Sequence, residues 1–386
     1  MKGLLNGTLK KTCAALAVSA IALTASNALA LPQLFYNSSN LVSDEPGVAP
    51  VTDPKLVNAW GISFIAGSGN TAGSPFWISD NNSGFSTLYD GTGAIFDIPM
   101  TMIPFFVTIP LPTGVMPPPP AAPTGMVSNT GTAFCGDLFI FDTEDGTLSG
   151  WQLADGLNAM LRVDNSEVPD TADGAVYKGL EMATPKSGIP TLYATDFRHG
   201  TIDTFQTNTS GQTCQYEQVS LKGNFSDPTL PKGYAPFNVK LIGGKLYVTY
   251  ALQDAARHDD VPGLGRGFVD IFDTDGDFER RFAARGALNA PWGLSMAPNN
   301  FGIVTGQLLV GNFGDGRINV FTPGLGIPLG QLRTRDKFAV RPLVIDGLWS
   351  LINGTGALNA PNNSLYFTAG PDGESHGLFG TITPGF

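Results

Sequence analysis

A three-residue signature, repeated six times at nearly even spacing, restricts this chain more than any other feature. "NAWGIS" at Asn58–Ser63 returns almost letter for letter in "NAPWGLS" at Asn289–Ser295. Both place a variable residue, a small one and an apolar one at what reads as the opening of a strand. Four more stretches fit: Thr124–Met126, Lys178–Leu180, Phe237–Val239 and Trp349–Leu351. The central residues, Gly61, Gly125, Gly179, Asn238, Gly293 and Ser350, are spaced by 64, 54, 59, 55 and 57 positions. A period of that length, sustained along a chain, marks repeated supersecondary units.

Within each unit an apolar or aromatic run follows the signature: "PFWISDN", "DLFIFDT", "TLYATDF", "KLYVTYA", "QLLVGNF" and "SLYFTAG". A third segment alternates apolar and polar residues as a half-buried strand does. It reads "GFSTLYD", "GTLSGWQ", "GTIDTFQ", "GFVDIFD", "GRINVFT" and "GLFGTIT". A weaker fourth appears in five units, at Phe105–Pro110, Ala159–Asp164, Tyr216–Leu221, Phe278–Ala283 and Pro328–Arg333. The sixth unit reaches Phe386 without one, whereas "LFYNSSNL" at Leu34–Leu41 precedes the first unit and belongs to none. The expected fold is all-β: one six-bladed β-propeller over residues 31–386, with four-stranded blades and a ring closed by the N-terminal strand, leaving no open edge. Two stacked sandwiches would give no reason for six matched units and one displaced strand.

Lys2, Lys10 and Lys11 precede the run "TCAALAVSAIALTA" and the triplet Ala28-Leu29-Ala30. This pattern reads as a secretory signal peptide over residues 1–30, cleaved after Ala30, with an apolar core too short for a stable membrane anchor. A periplasmic or secreted monomer is expected. Losing three lysines and no acids takes the formal charge from −11 to −14, which argues against nucleic acid as a partner. Cys135 and Cys214 are the two cysteines beyond the leader, and both fall in loops on one face of neighbouring blades. In an oxidising compartment they are expected to form a disulfide.

The loops between second and third strands share the opposite face and carry all three histidines, His199, His258 and His376. Asp80, Asn81, Asp142, Asp196, Asp254, Asp259, Asp260, Asn312, Asp315 and Asp372 gather there, with Lys178 and Arg198 close by. Long loops on a rigid scaffold are where sites usually sit. Trp60, Trp292 and Trp349, with Lys178, either line the channel mouth and stack on a ligand or fill space between blades. A divalent metal near the axis would polarise an ester or lactone carbonyl and activate water. Oxygen ligands would favour calcium or magnesium, and histidines zinc or another transition metal. The same Asp and Asn residues also suit strand-end turns. "DTDGD" at Asp273–Asp277 reads as a hairpin turn and "MPPPPAAP" at Met116–Pro123 as a stiff connector.

The motifs "KLVNAWGIS", "PFWISDNNSGFSTLYDGTG", "GFVDIFDTDGD", "LNAPWGLSMAP", "LLVGNFGDGRINVF", "DGLWSL" and "HGLFGTI" resemble an uncharacterised family of exported bacterial proteins. Some members of that family carry a C-terminal PEP-CTERM sorting tail. The chain closes on "TITPGF", which favours a soluble periplasmic or secreted fate. More distantly the blades resemble NHL-type repeats and gluconolactonase-like propellers, a likeness of fold that implies an axial metal and lactone hydrolysis in those relatives without carrying over residues. Two function classes follow: a scaffold binding a protein, glycan or small-molecule ligand, or a divalent-metal-dependent hydrolase, lactonase- or esterase-like, at the axis end of the histidine face. Convergence of Asp80, Asp196, Asn312 and His376 would favour the second.

Overall fold

The computed structural model describes residues 35–67, 73–98, 100–115, 120–208, 214–336, 339–358 and 360–385. The signal-peptide reading, and residues 116–119 of the proline-rich connector, lie outside them. Six antiparallel sheets form four-stranded blades, one of them extended by a short fifth, parallel strand. Their innermost strands are Ala59–Ser63, Pro123–Ser128, Tyr177–Ala183, Tyr234–Ile242, Pro291–Met296 and Leu348–Asn353, each containing one copy of the repeated signature. Helix among the described residues amounts to three single 3₁₀ turns. None is long and apolar enough to cross a membrane.

The small central residue of each signature has a steric cause. A Cβ on Gly61 would stand 2.3 Å from the Thr124 carbonyl oxygen of the next blade, and one on Gly125 would stand 2.3 Å from the Leu180 nitrogen. The inner strands converge toward the axis, and at this radius backbone meets backbone. In all six blades the pairing of first and second strands slips its register beside this residue, for example between Ala59 and Ile62 and between Pro123 and Met126. The repeat is therefore a bulge combined with a close approach. Between blades, aromatic and branched side chains pack into continuous clusters. Trp77 of blade 1 stacks on Phe139 of blade 2 at 4.1 Å, and Phe76 joins Tyr366 and Phe379 of blade 6.

Phe35–Ser43 pairs antiparallel with Leu378–Gly385, from Phe35 opposite Gly385 to Ser43 opposite Leu378. The first described strand thereby completes the last blade. Two small elements escape the sequence pattern: Val51–Thr52, parallel to the closing strand, and a hairpin of Arg333–Arg335 with Val340–Pro342 between blades 5 and 6. The disulfide is present, joining Cys135 of blade 2 to Cys214 of blade 3 across 79 positions.

Candidate functional site

The axis has two different ends. On the histidine face it is shut. Trp60 and Trp349 stack at 3.6 Å, Phe313 stacks on Trp349 at 3.9 Å, and Trp292 meets Trp349 edge-on at 6.0 Å. Phe237 and Phe197 complete the cluster, so blades 1, 3, 4, 5 and 6 all contribute. The Trp292 indole N–H donates to the Lys178 carbonyl at 3.0 Å, from blade 5 to blade 3. The three tryptophans are at most 5% exposed. They form a plug across the axis rather than a lined mouth.

Over the plug lies a knot of charge. Lys178 is 2% exposed, with its ammonium 5.2 Å from the Trp60 ring centre. It donates to Glu144 and, at 3.4 Å, to Asp259. Burial alone would lower its pKa, but the two carboxylates outweigh that and hold it above the ordinary lysine value. Asn81 donates to Glu144 at 2.9 Å, Asn58 donates to Glu374 at 2.8 Å, and the Trp349 indole donates to Asn58 at 2.9 Å. Burial pushes Asp260 up to about 7 and raises Glu374. A hydrogen bond from His258 pulls Asp259 down to about 2, and the same contact raises His258.

Of the residues anticipated on this face, the knot gathers Lys178, Asn81, His258, Asp259 and Asp260. Asp254 organises their loop by accepting from the His258 and Asp259 amides. The remaining candidates do not converge. His199 bonds Asp196 at 2.6 Å and His376 bonds Asp44 at 2.9 Å, each on its own blade. Asp80, Asp142, Asp196 and Asn312 are buried at strand ends. Asn312 donates to Asp315 and to the Ala287 carbonyl, as a turn residue does. Burial pushes Asp80 well above the usual carboxylate range. Glu144 and Glu374 went unread because nothing in a loop sequence gives its radius from the axis.

Glu144, His258 and Asp259 bring one ligand atom each within 4.8 Å of one another, a spacing compatible with a metal ion. Yet both carboxylates already bond the Lys178 ammonium, and an incoming divalent ion would meet that fixed positive charge. The donor set does not fit a hydrolytic metal centre with an open coordination position.

The opposite end of the axis, on the disulfide face, is open. The inner strands of all six blades end in a funnel of about 460 Å³, lined by Ser63, Ser128, Met182, Leu241, Leu294 and Ile352 among others. Its one ion pair, Lys240 with Glu181 at 3.1 Å, is self-contained, because Glu181 also accepts from the Met182 and Leu241 amides. Above the funnel a void of about 30 Å³ reaches Trp292 at the plug. No local pattern announces this funnel, since each strand supplies two or three ordinary residues to it.

No family model matches the chain. It is 34% identical over 349 residues to the uncharacterised protein R648 of Acanthamoeba polyphaga mimivirus, covering 89% of this chain and 78% of that one. It is 33% identical over 354 residues to the uncharacterised protein L690 of the same virus, covering 89% and 84%. These relatives are viral and do not show the bacterial membership implied by the motifs. Among solved structures, the PQQ-bound aldose sugar dehydrogenase of Streptomyces coelicolor gives a TM-score of 0.44 at 10% identity over 91% of this chain and 98% of that one. The α-L-arabinofuranosidase Arb93A of Fusarium graminearum, bound to an iminosugar inhibitor, gives 0.47 at 11% over 90% and 98%. Neither activity transfers at that distance.

Proposed function

The chain belongs to the same family as the mimivirus proteins R648 and L690, and from that premise we propose that it is an exported binding propeller that takes a small ligand at the open end of its axis. The carrying observation is the funnel: about 460 Å³, walled by all six inner strands, with Leu241, Leu294, Leu351 and Ile352 set among Ser63, Ser128, Ser295, Asn353 and the Lys240–Glu181 pair. That is the size and character of an ordinary ligand pocket. The Cys135–Cys214 bond supports an oxidising compartment and hence export. The acidic balance supports a partner other than nucleic acid. The hydrolase reading comes second: the Glu144, His258 and Asp259 spacing suits an ion, but the Lys178 ammonium held by both carboxylates weighs against it.

Methyl NMR of the methionines, recorded while a panel of small molecules is screened, tests the reading. Bound compounds are expected to shift Met182 and Met296 of the funnel wall and to leave Met160, on an outer strand of blade 2, unmoved. Compounds that instead shift the His258 imidazole would transfer the site to the other face. Chelator-sensitive turnover of a lactone or ester panel would restore the hydrolase.

A further inference from the structure

We propose that the funnel is one end of a longer site, built for an uncharged amphiphile with an extended aliphatic chain; this deepens the binding reading above and depends on it. A second cavity of about 880 Å³ lies beside the funnel on the same face. Phe64, Ser128, Met182 and Leu241 line both. These four shared residues set the two spaces side by side, and the proposed ligand spans both, from the axis outward across blades 2 and 3.

The chemistry of the walls selects the occupant. Ala66, Ala133, Ala183, Ile189 and Pro190 line the outer cavity, and no charged side chain does so among the described residues. The funnel adds Leu294, Met296, Leu351 and Ile352 and only the mutually neutralised Lys240–Glu181 pair. A charged ligand would lose hydration here without gaining a partner. Among the described residues Phe64 is the single aromatic ring lining either space, so flat ligands find little platform, whereas a flexible aliphatic chain can follow the apolar residues past uncharged hydroxyls and amides such as Ser63, Ser128, Thr207 and Asn353. At the outer end, Thr130, Thr132 and Thr184 are exposed and line the cavity with hydroxyls, which suits a neutral hydroxylated head.

The outer wall is held in shape. Asn129 donates to the Ala133 and Asp137 carbonyls at 2.9 Å and accepts from the Gly131 amide at 2.8 Å. The Phe134 amide donates to the Thr207 hydroxyl at 2.5 Å, and Cys135 is tied to blade 3. A wall fixed before the ligand arrives costs little ordering on binding.

Titration calorimetry with 1-monoacylglycerols of increasing chain length, below their aggregation concentrations, tests this on the mature protein. Binding is expected to tighten by up to about three- to fourfold per added methylene, with the matched fatty acid and alkyltrimethylammonium weaker. Leu241→Trp, which fills the junction, should weaken the longest chain more than tenfold. Thr130→Arg, on an exposed loop, should leave the fold intact and reverse the order so that the fatty acid binds better than the monoacylglycerol. Affinity independent of chain length, or unchanged order in Thr130→Arg, would overturn the proposal. Charged compounds that bind best while shifting Met182 and Met296 would overturn it and leave the binding reading standing. No shift of those methyls by any compound would end both.

Discussion

Thr124 shows how much chemistry a single buried residue can fix. Its hydroxyl oxygen lies 2.8 Å from Asp142 Oδ1 and 2.8 Å from the Tyr177 carbonyl oxygen, yet it carries one hydrogen to donate. The conflict disappears if Asp142 is protonated: the carboxyl donates to Thr124, and Thr124 donates to Tyr177. Burial pushes Asp142 up to about 7 from 3.8, against the lowering effect of Thr124. With the folded pKa above the unfolded one, the unfolded state releases its proton first as pH rises. This residue's contribution is therefore full below pH 3.8 and is lost progressively up to about 7. Asp142→Asn keeps a donor toward Thr124 and removes the titration. Urea unfolding should show it at least as stable as wild type at pH 7.5, by a gain on the order of 1–3 kcal/mol, and nearly equal at pH 4. Equal destabilisation at both values would show that the carboxylate is needed. The sequence placed Asp142 correctly at a strand end, but residue type alone does not say whether a side chain turns into the sheet or out to solvent.

At the scale of elements, the strands were legible wherever burial enforces a pattern. Alternation and the small residue of the inner strand recur because each blade solves the same packing problem. The hairpin of Arg333–Arg335 and Val340–Pro342 is half-buried to exposed throughout and carried no such signal. The Cys135–Cys214 pairing was also legible, since the blade plan put both loops on one face. That bond closes a long loop between two blades, and the double Cys→Ser variant should lose about 2–4 kcal/mol of stability. Hydrogen exchange should report the loss first around residues 129–137, where the disulfide, Asn129 and Phe134 together hold the cleft wall. A variant that loses stability uniformly, with those amides still protected, would mean the disulfide holds blades together without shaping the cleft.

For the whole molecule, the ring plan was readable and the axis was not. Six repeats and a displaced strand imply closure, whereas the plug, the Lys178 knot and the funnel each draw on three or more blades and exist in no window of sequence. The histidines led to the correct face for the knot but not to a shared centre, because each found a carboxylate on or beside its own blade. Removing residues 35–43 should leave the Leu378–Gly385 strand with a bare edge, giving a lower and broader thermal transition and association through that edge. A synthetic Phe35–Ser43 peptide added in trans should restore a single sharp transition; no response to the peptide would show that the ring holds without its clasp. The same clasp sets a clock on folding. Phe35–Ser43 must find Leu378–Gly385 from across the whole ring of blades, and pairing between segments so distant in sequence is slow to form. Until the two meet, every blade but the last can be complete while the ring stays unlatched, so closure is the step that turns six separate sheets into one cooperative body.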